Sequence, residues 1–250
     1  MSLSLSLPRR ILALAGVVCI VATWLYLVLV RPADWESVGG SASAIITLAG
    51  YVGGAVLLLA ATLPAVPVRT ISLIPVALVL NIVVGEIVGS VGIPLYLDSL
   101  GTVLVAALAG PLVGLATGTL SSVVWGLINP AALPFAAASA LVGGLAGWLL
   151  NNKKVVRTWW ATALSGALVG IICGMIAAPV AAFVYGGTAG VGTGALVSAF
   201  RAMGNSLLGS VTLQSFISDP LDKILVFLLV RQAVMALPKR TVAQLRGEGA

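Results

Sequence analysis

Few side chains in this sequence could do chemistry, and most of them interrupt long apolar runs. Glu86 lies in the run 70–92, toward its end, and Asp98 follows in Ile93-Pro94-Leu95-Tyr96-Leu97-Asp98-Ser99-Leu100-Gly101-Thr102. A carboxylate within a bilayer is costly and marks a binding or transport role by default. For Glu86 the alternative is an acid satisfied by a neighbouring helix or reaching the interface. Asp98 can cap the helix that follows it by accepting one of the first free N–H groups, and Tyr96 beside it would let the loop close over a small molecule. Thr117, Ser121, Trp125 and Asn129 recur every fourth residue, which makes one stripe along a helix. Hydroxyl, indole and amide groups converging in an apolar bundle suit a small-molecule site, although hydroxyls can instead bond back to their own helix carbonyls. Arg201 and Asn205 share a face of the segment 190–213. That segment is either an interfacial amphipathic helix or a lid presenting Arg201 to a negative or carbonyl-bearing ligand. Asp219 and Lys223, four apart, read as a helical ion pair. The candidate substrate-binding set is thus Glu86, Tyr96, Asp98, Thr117, Ser121, Trp125, Asn129, Arg201 and Asn205.

Other chemistries find no support. The sequence has no histidine, the usual general base and commonest metal ligand. Cys19 and Cys173 lie in separate apolar runs and read as buried small hydrophobes, so neither a metal nor a cofactor is expected. No P-loop stretch occurs, and no nucleophile–base pair is visible, so the chain is not expected to be an enzyme. Uphill transport would draw on an ion gradient or on another subunit. The net charge of +6 is spread over the ends of apolar runs and reads as a topology signal, with no nucleic-acid partner.

The elements that carry these residues follow from composition. Charged residues make up 8% of the chain against about 25% for a soluble domain, and mean hydropathy is +1.17, so lipid is the solvent the sequence fits. The runs are continuous rather than alternating, which predicts an all-α, polytopic membrane helix bundle. Spans are expected at 11–30, 44–63, 70–92, 100–109, 111–128, 132–150, 158–185 and 218–237. The basic clusters are Arg9/Arg10, Arg69, Lys153/Lys154/Arg157 and Lys239/Arg240/Arg246. All four fall on the cytoplasmic side only if the chain reverses at Gly110-Pro111 and 190–213 does not cross. That gives eight membrane segments with both termini inside and 190–213 external or re-entrant. Trp148, Trp159 and Trp160 flank the Lys153 cluster as an interfacial belt would.

Small residues recur every fourth position in three ridges: Gly110, Gly114, Gly118, Ser122; Gly166, Gly170, Gly174, Ala178; and Ala77, Asn81, Gly85, Gly89. Such ridges let helix backbones approach closely, either inside the bundle or against another membrane subunit. The Ala77 ridge is the best docking candidate because Asn81 adds a polar group to it.

The stretch from Asn81 through Glu86 to Gly89, then the Leu97-Asp98 loop, then Ala109-Gly-Pro-Leu-Val-Gly-Leu-Ala-Thr-Gly118 resembles the substrate-binding S components of energy-coupling factor (ECF) transporters. The closing segment from Asp219 to Arg240 is similar to the last helix of some members, and the resemblance covers roughly 70–240. It implies a six-helix core that captures a vitamin or other micronutrient near the external face of a prokaryotic plasma membrane. Partners would be a transmembrane coupling subunit and two cytoplasmic ATPases. Family members often contact the coupling subunit through Ala-x-x-x-Ala; here Ala77 is followed by Asn81, Gly85 and Gly89. The implied organisation is an N-terminal pair of transmembrane helices (1–66), an S-component-like core (67–240) and a short cytoplasmic tail (241–250). The modest polar lining suits a neutral, ring-containing nutrient. The rival readings are a stand-alone proton-coupled secondary transporter using Glu86 and Asp98, and a non-transporting membrane scaffold.

Overall fold

A computed structural model describes residues 5–32, 41–187 and 190–247, and every described element is helical. The helices are α1 (Leu7–Val30), α2 (Ala42–Thr62), α3 (Val68–Ile71), α4 (Leu73–Val91), α5 (Leu100–Ala109) and α6 (Pro111–Gly126). There follow α7 (Ala136–Leu150), α8 (Lys153–Arg157), α9 (Trp159–Tyr185), α10 (Val191–Ala202), α11 (Leu207–Ala236) and α12 (Lys239–Arg246). The chain is an all-α polytopic membrane bundle. Among the described residues, five helical segments are long and apolar enough to cross a bilayer: Leu7–Val30, Ala42–Ala65, Val68–Val91, Pro130–Leu150 and Trp159–Tyr185. Their outward faces are apolar, with Leu14, Val83 and Leu164 among many exposed aliphatic side chains. Water would not tolerate that surface; lipid does.

Successive long elements run alternately between two ends. Gly110, at φ 92°, turns α5 into α6, and Pro111 starts the new helix at the position where its missing N–H costs nothing. Pro75 explains the break between α3 and α4, because it cannot bond the carbonyl of Ile71 four residues back. The basic clusters gather at one end. Arg69 and Thr70 of α3 donate to the Gln244 side chain and the Leu245 carbonyl of α12, Arg246 donates to the Ala107 carbonyl at 3.3 Å, and Arg231 to that of Val156 at 2.8 Å. The residues Lys239–Arg246, which overlap the expected short tail at 241–250, form a helix docked against α3 and α5; residues 248–250 lie outside the described residues.

Two expectations about the last third of the chain need correction. The segment 190–213, expected as one external or re-entrant piece, divides at 203–206 into α10 and the start of α11. The closing helix starts at Leu207 rather than 218, capped by Ser206, whose hydroxyl accepts from the Gly209 N–H at 3.1 Å. Pro220 lies inside this 30-residue helix, where bundle packing accommodates it. Asp219, Asp222 and Lys223 consequently sit mid-helix and buried, not at a span end.

The three small-residue ridges face inward except at Gly89, which is exposed. A Cβ at Gly118 would stand 2.1 Å from the Ser139 carbonyl oxygen of α7, and one at Gly170 would stand 2.4 Å from that of Asp219 on α11. Glycine is therefore what sets the α6–α7 and α9–α11 separations. The Ala77 ridge corrects the docking expectation. Ala77 backs onto Gly101 of α5, Asn81 is fully buried, Gly85 lies against Trp125, and Gly89 lies at the exposed mouth of a cavity. Three of the four are thus buried inside the bundle, and only Gly89 is exposed. The N-terminal pair α1–α2 packs on α6 and α9, with the Trp24 indole donating to the Ile176 carbonyl at 3.0 Å, and α4 keeps its outer face.

Candidate functional site

The polar groups of the sequence converge at the end opposite the basic clusters, around a cavity of about 420 Å³. Its placement starts with Asn81. The Asn81 carbonyl oxygen accepts the backbone N–H of Gly101 at 2.7 Å and of Thr102 at 3.4 Å, while its amide donates to the Thr102 hydroxyl at 2.8 Å and the Ser121 hydroxyl at 3.0 Å. A side chain from α4 therefore caps the buried start of α5 and ties α4, α5 and α6 together. This replaces the expected Asp98 cap, for the residue preceding α5 is Ser99 and no side chain of its own caps that helix.

Freed from capping, Asp98 faces Lys223 of α11, with Oδ1 3.5 Å from Nζ. Lys223 also donates to Asp222 Oδ2. The expected Asp219–Lys223 pair is thus replaced by Asp98 and Asp222. The other Asp222 oxygen accepts the backbone N–H groups of Tyr96 at 2.9 Å and Leu97 at 2.6 Å. A loop with Leu97 at φ 50° is held there by a carboxylate from another helix. Tyr96 is drawn in as well, its hydroxyl oxygen accepting from the Gln214 amide at 3.3 Å.

The opposite wall comes from α4 and α6. Gly85 has no side chain to obstruct the Trp125 ring, since a Cβ there would lie 2.6 Å from it. The Trp125 indole N–H donates to Glu86 Oε1 at 2.6 Å, and the Asn129 amide donates to the same oxygen at 3.2 Å. Phe135 lines the cavity and stacks on Tyr185 with ring centroids 5.8 Å apart. The first turn of α10 completes the wall with Val191, Gly192 and Thr193.

Of the sequence candidates, Glu86, Tyr96, Asp98, Trp125 and Asn129 line this cavity together. Four do not. Thr117 is buried and bonds back to the Val113 carbonyl at 2.8 Å, and Ser121 is spent on Asn81. Arg201 is exposed at the far end of α10, and the Asn205 amide closes its own turn on the Phe200 carbonyl at 3.1 Å. If α10 covers a ligand, its first turn does so, not its arginine. Conversely, Ser99, Cys173, Gln214, Asp219 and Lys223 line the cavity without having been singled out as ligand contacts. The signal for two of them was present: three charges within Asp219-Pro-Leu-Asp-Lys223 mark a site once the helix is seen to start twelve residues before Asp219.

Comparison with known proteins returns no match to a family model, to a curated protein or to a solved structure. The S-component resemblance rests on the motifs alone.

Proposed function

We propose that this chain is a membrane-embedded substrate-binding subunit, which captures a small micronutrient from the non-basic side for uptake driven by partner ATPases. The observation that carries the reading is the cavity itself: about 420 Å³, walled by aromatic and aliphatic side chains, with carboxylate, indole, amide and ammonium groups converging on it. That volume lies within the ~300–1,000 Å³ of small-molecule pockets. The order of motifs shared with ECF S components supplies the transport context, and the missing P-loop is consistent with ATP hydrolysis in other subunits. On this reading the basic end is cytoplasmic, the membrane is a prokaryotic plasma membrane, and a coupling subunit docks on a lipid-facing surface other than the Ala77 ridge.

A second reading is favoured by one observation. Asp98, Asp219 and Asp222 gather about a single lysine of α11, an arrangement that also suits a proton-linked carrier. Reconstitution separates the two. Purified chain in liposomes should take up its co-purifying ligand, identified by mass spectrometry, only when a coupling subunit and ATPases are present with ATP. Uptake by the chain alone under a proton gradient would refute the capture-subunit reading in favour of the carrier.

A further inference from the structure

The charges lining the cavity do not balance. Glu86, Asp98 and Asp219 are in its wall, and Lys223 is the one cation among the described lining residues. Lys223 is already committed to Asp98 and to Asp222, which stands behind the wall holding the loop. Asp219 is left over. It is 4% exposed, and its Oδ2 accepts no hydrogen bond from the described residues. Ser99, likewise in the wall and 4% exposed, has a hydroxyl with no partner among them. Gly174 backs the acid from the α9–α11 seam, where a Cβ would lie 3.0 Å from Asp219 Oδ2 and 3.2 Å from Ser215 Cβ.

A buried carboxylate whose nearby lysine is already paired with two other acids is strongly disfavoured. A cation arriving with the ligand removes that penalty, and an aromatic wall of Tyr96, Trp125 and Phe135 adds attraction for a flat cationic group. We propose that the cavity selects a small organic cation, whose protonated amine or amidine-like nitrogen is received by the Asp219 carboxylate. This rests on the ligand-capture reading and replaces the neutral nutrient expected from sequence. A phosphate or carboxylate ligand would face an excess of like charge.

The test uses the full chain in detergent and two isosteric probes, benzamidinium and neutral benzamide, with affinities from calorimetry. Benzamidinium should bind about tenfold tighter than benzamide, and Asp219→Asn should bring the two within about twofold. Asp219→Glu keeps the charge and should keep benzamidinium preferred by about tenfold. Equal affinity for the probes, undetectable benzamidinium binding, or a preference that survives Asp219→Asn overturns the proposal. If Asp219→Asn yields no folded protein, Asp219→Ser decides, and an about tenfold preference for benzamidinium surviving there overturns it. The transport reading fails separately: a missing ATPase-driven uptake sinks that reading and leaves the charge preference standing, while a neutral co-purified ligand with intact uptake does the reverse.

Discussion

Replacing Asn81 with alanine tests whether α5 starts in mid-bundle because a side chain from α4 caps it. The substitution removes both acceptor contacts to the Gly101 and Thr102 N–H groups and both donor contacts to the Thr102 and Ser121 hydroxyls. The Gly101 N–H is buried and bonded at 2.7 Å to Asn81, and leaving it orphaned costs about 2 kcal/mol. The two amide-to-hydroxyl bonds add about 0.6 kcal/mol each on the scale of membrane side-chain bonds. The 3.4 Å contact adds little. The sum is about 3 kcal/mol of lost stability, before the vacated volume is counted. Unfolding by steric trapping in bicelles reads this directly, because it needs no ligand and no partner. Asn81→Asp keeps the acceptor but loses the donors, adding a buried charge, so it should not restore stability. A loss below about 0.5 kcal/mol in Asn81→Ala would refute the capping role, the range in which surface substitutions fall. The same variant sets a second alanine four residues after Ala77, the Ala-x-x-x-Ala spacing of S components, so a gain in coupling-subunit binding would show that this ridge can face outward after all.

Asp222→Ala should destabilise by about 3–5 kcal/mol, because it breaks a buried pair and frees two loop N–H groups; Asp222→Asn, which keeps an acceptor for the loop, should lose less. Equal losses in the two variants, measured by the same unfolding assay, would contradict the double role. Gly118→Ala should abolish a monodisperse peak in size-exclusion chromatography, since its Cβ would meet the Ser139 carbonyl at 2.1 Å. Gly89→Ala, with nothing within 4 Å, should leave the peak unchanged and raise stability by up to about 1 kcal/mol through helix propensity. Arg69→Ala should speed amide exchange across Lys239–Arg246 while global stability moves by less than about 1 kcal/mol, as the clamp to Gln244 lies on the surface. Unchanged exchange there would show that α12 holds without it.

Glu86, Trp125 and Asn129 show how the sequence could find a site wall. One helix carries Trp125 and Asn129 four apart, and any polar group in lipid seeks another, so their meeting with Glu86 follows from local periodicity and cost. The all-helical, lipid-embedded character was legible in the same way, because charge-poor apolar runs of this length have no other stable solution. The inward turn of the small-residue ridges was open in the sequence, which is symmetric between packing inside and packing outside. Tertiary structure alone decided that Asn81 caps a helix twenty residues away, that Lys223 turns from Asp219 to Asp98 and Asp222, and that Thr117, Ser121, Arg201 and Asn205 stay out of the cavity. The physical reason is that each polar group in a bilayer must be satisfied by whatever stands opposite it. Which group stands opposite depends on helix separation and register, and those are set by glycine contacts such as Gly170 on Asp219. Sequence spacing names the groups that need partners; only the packed bundle assigns them.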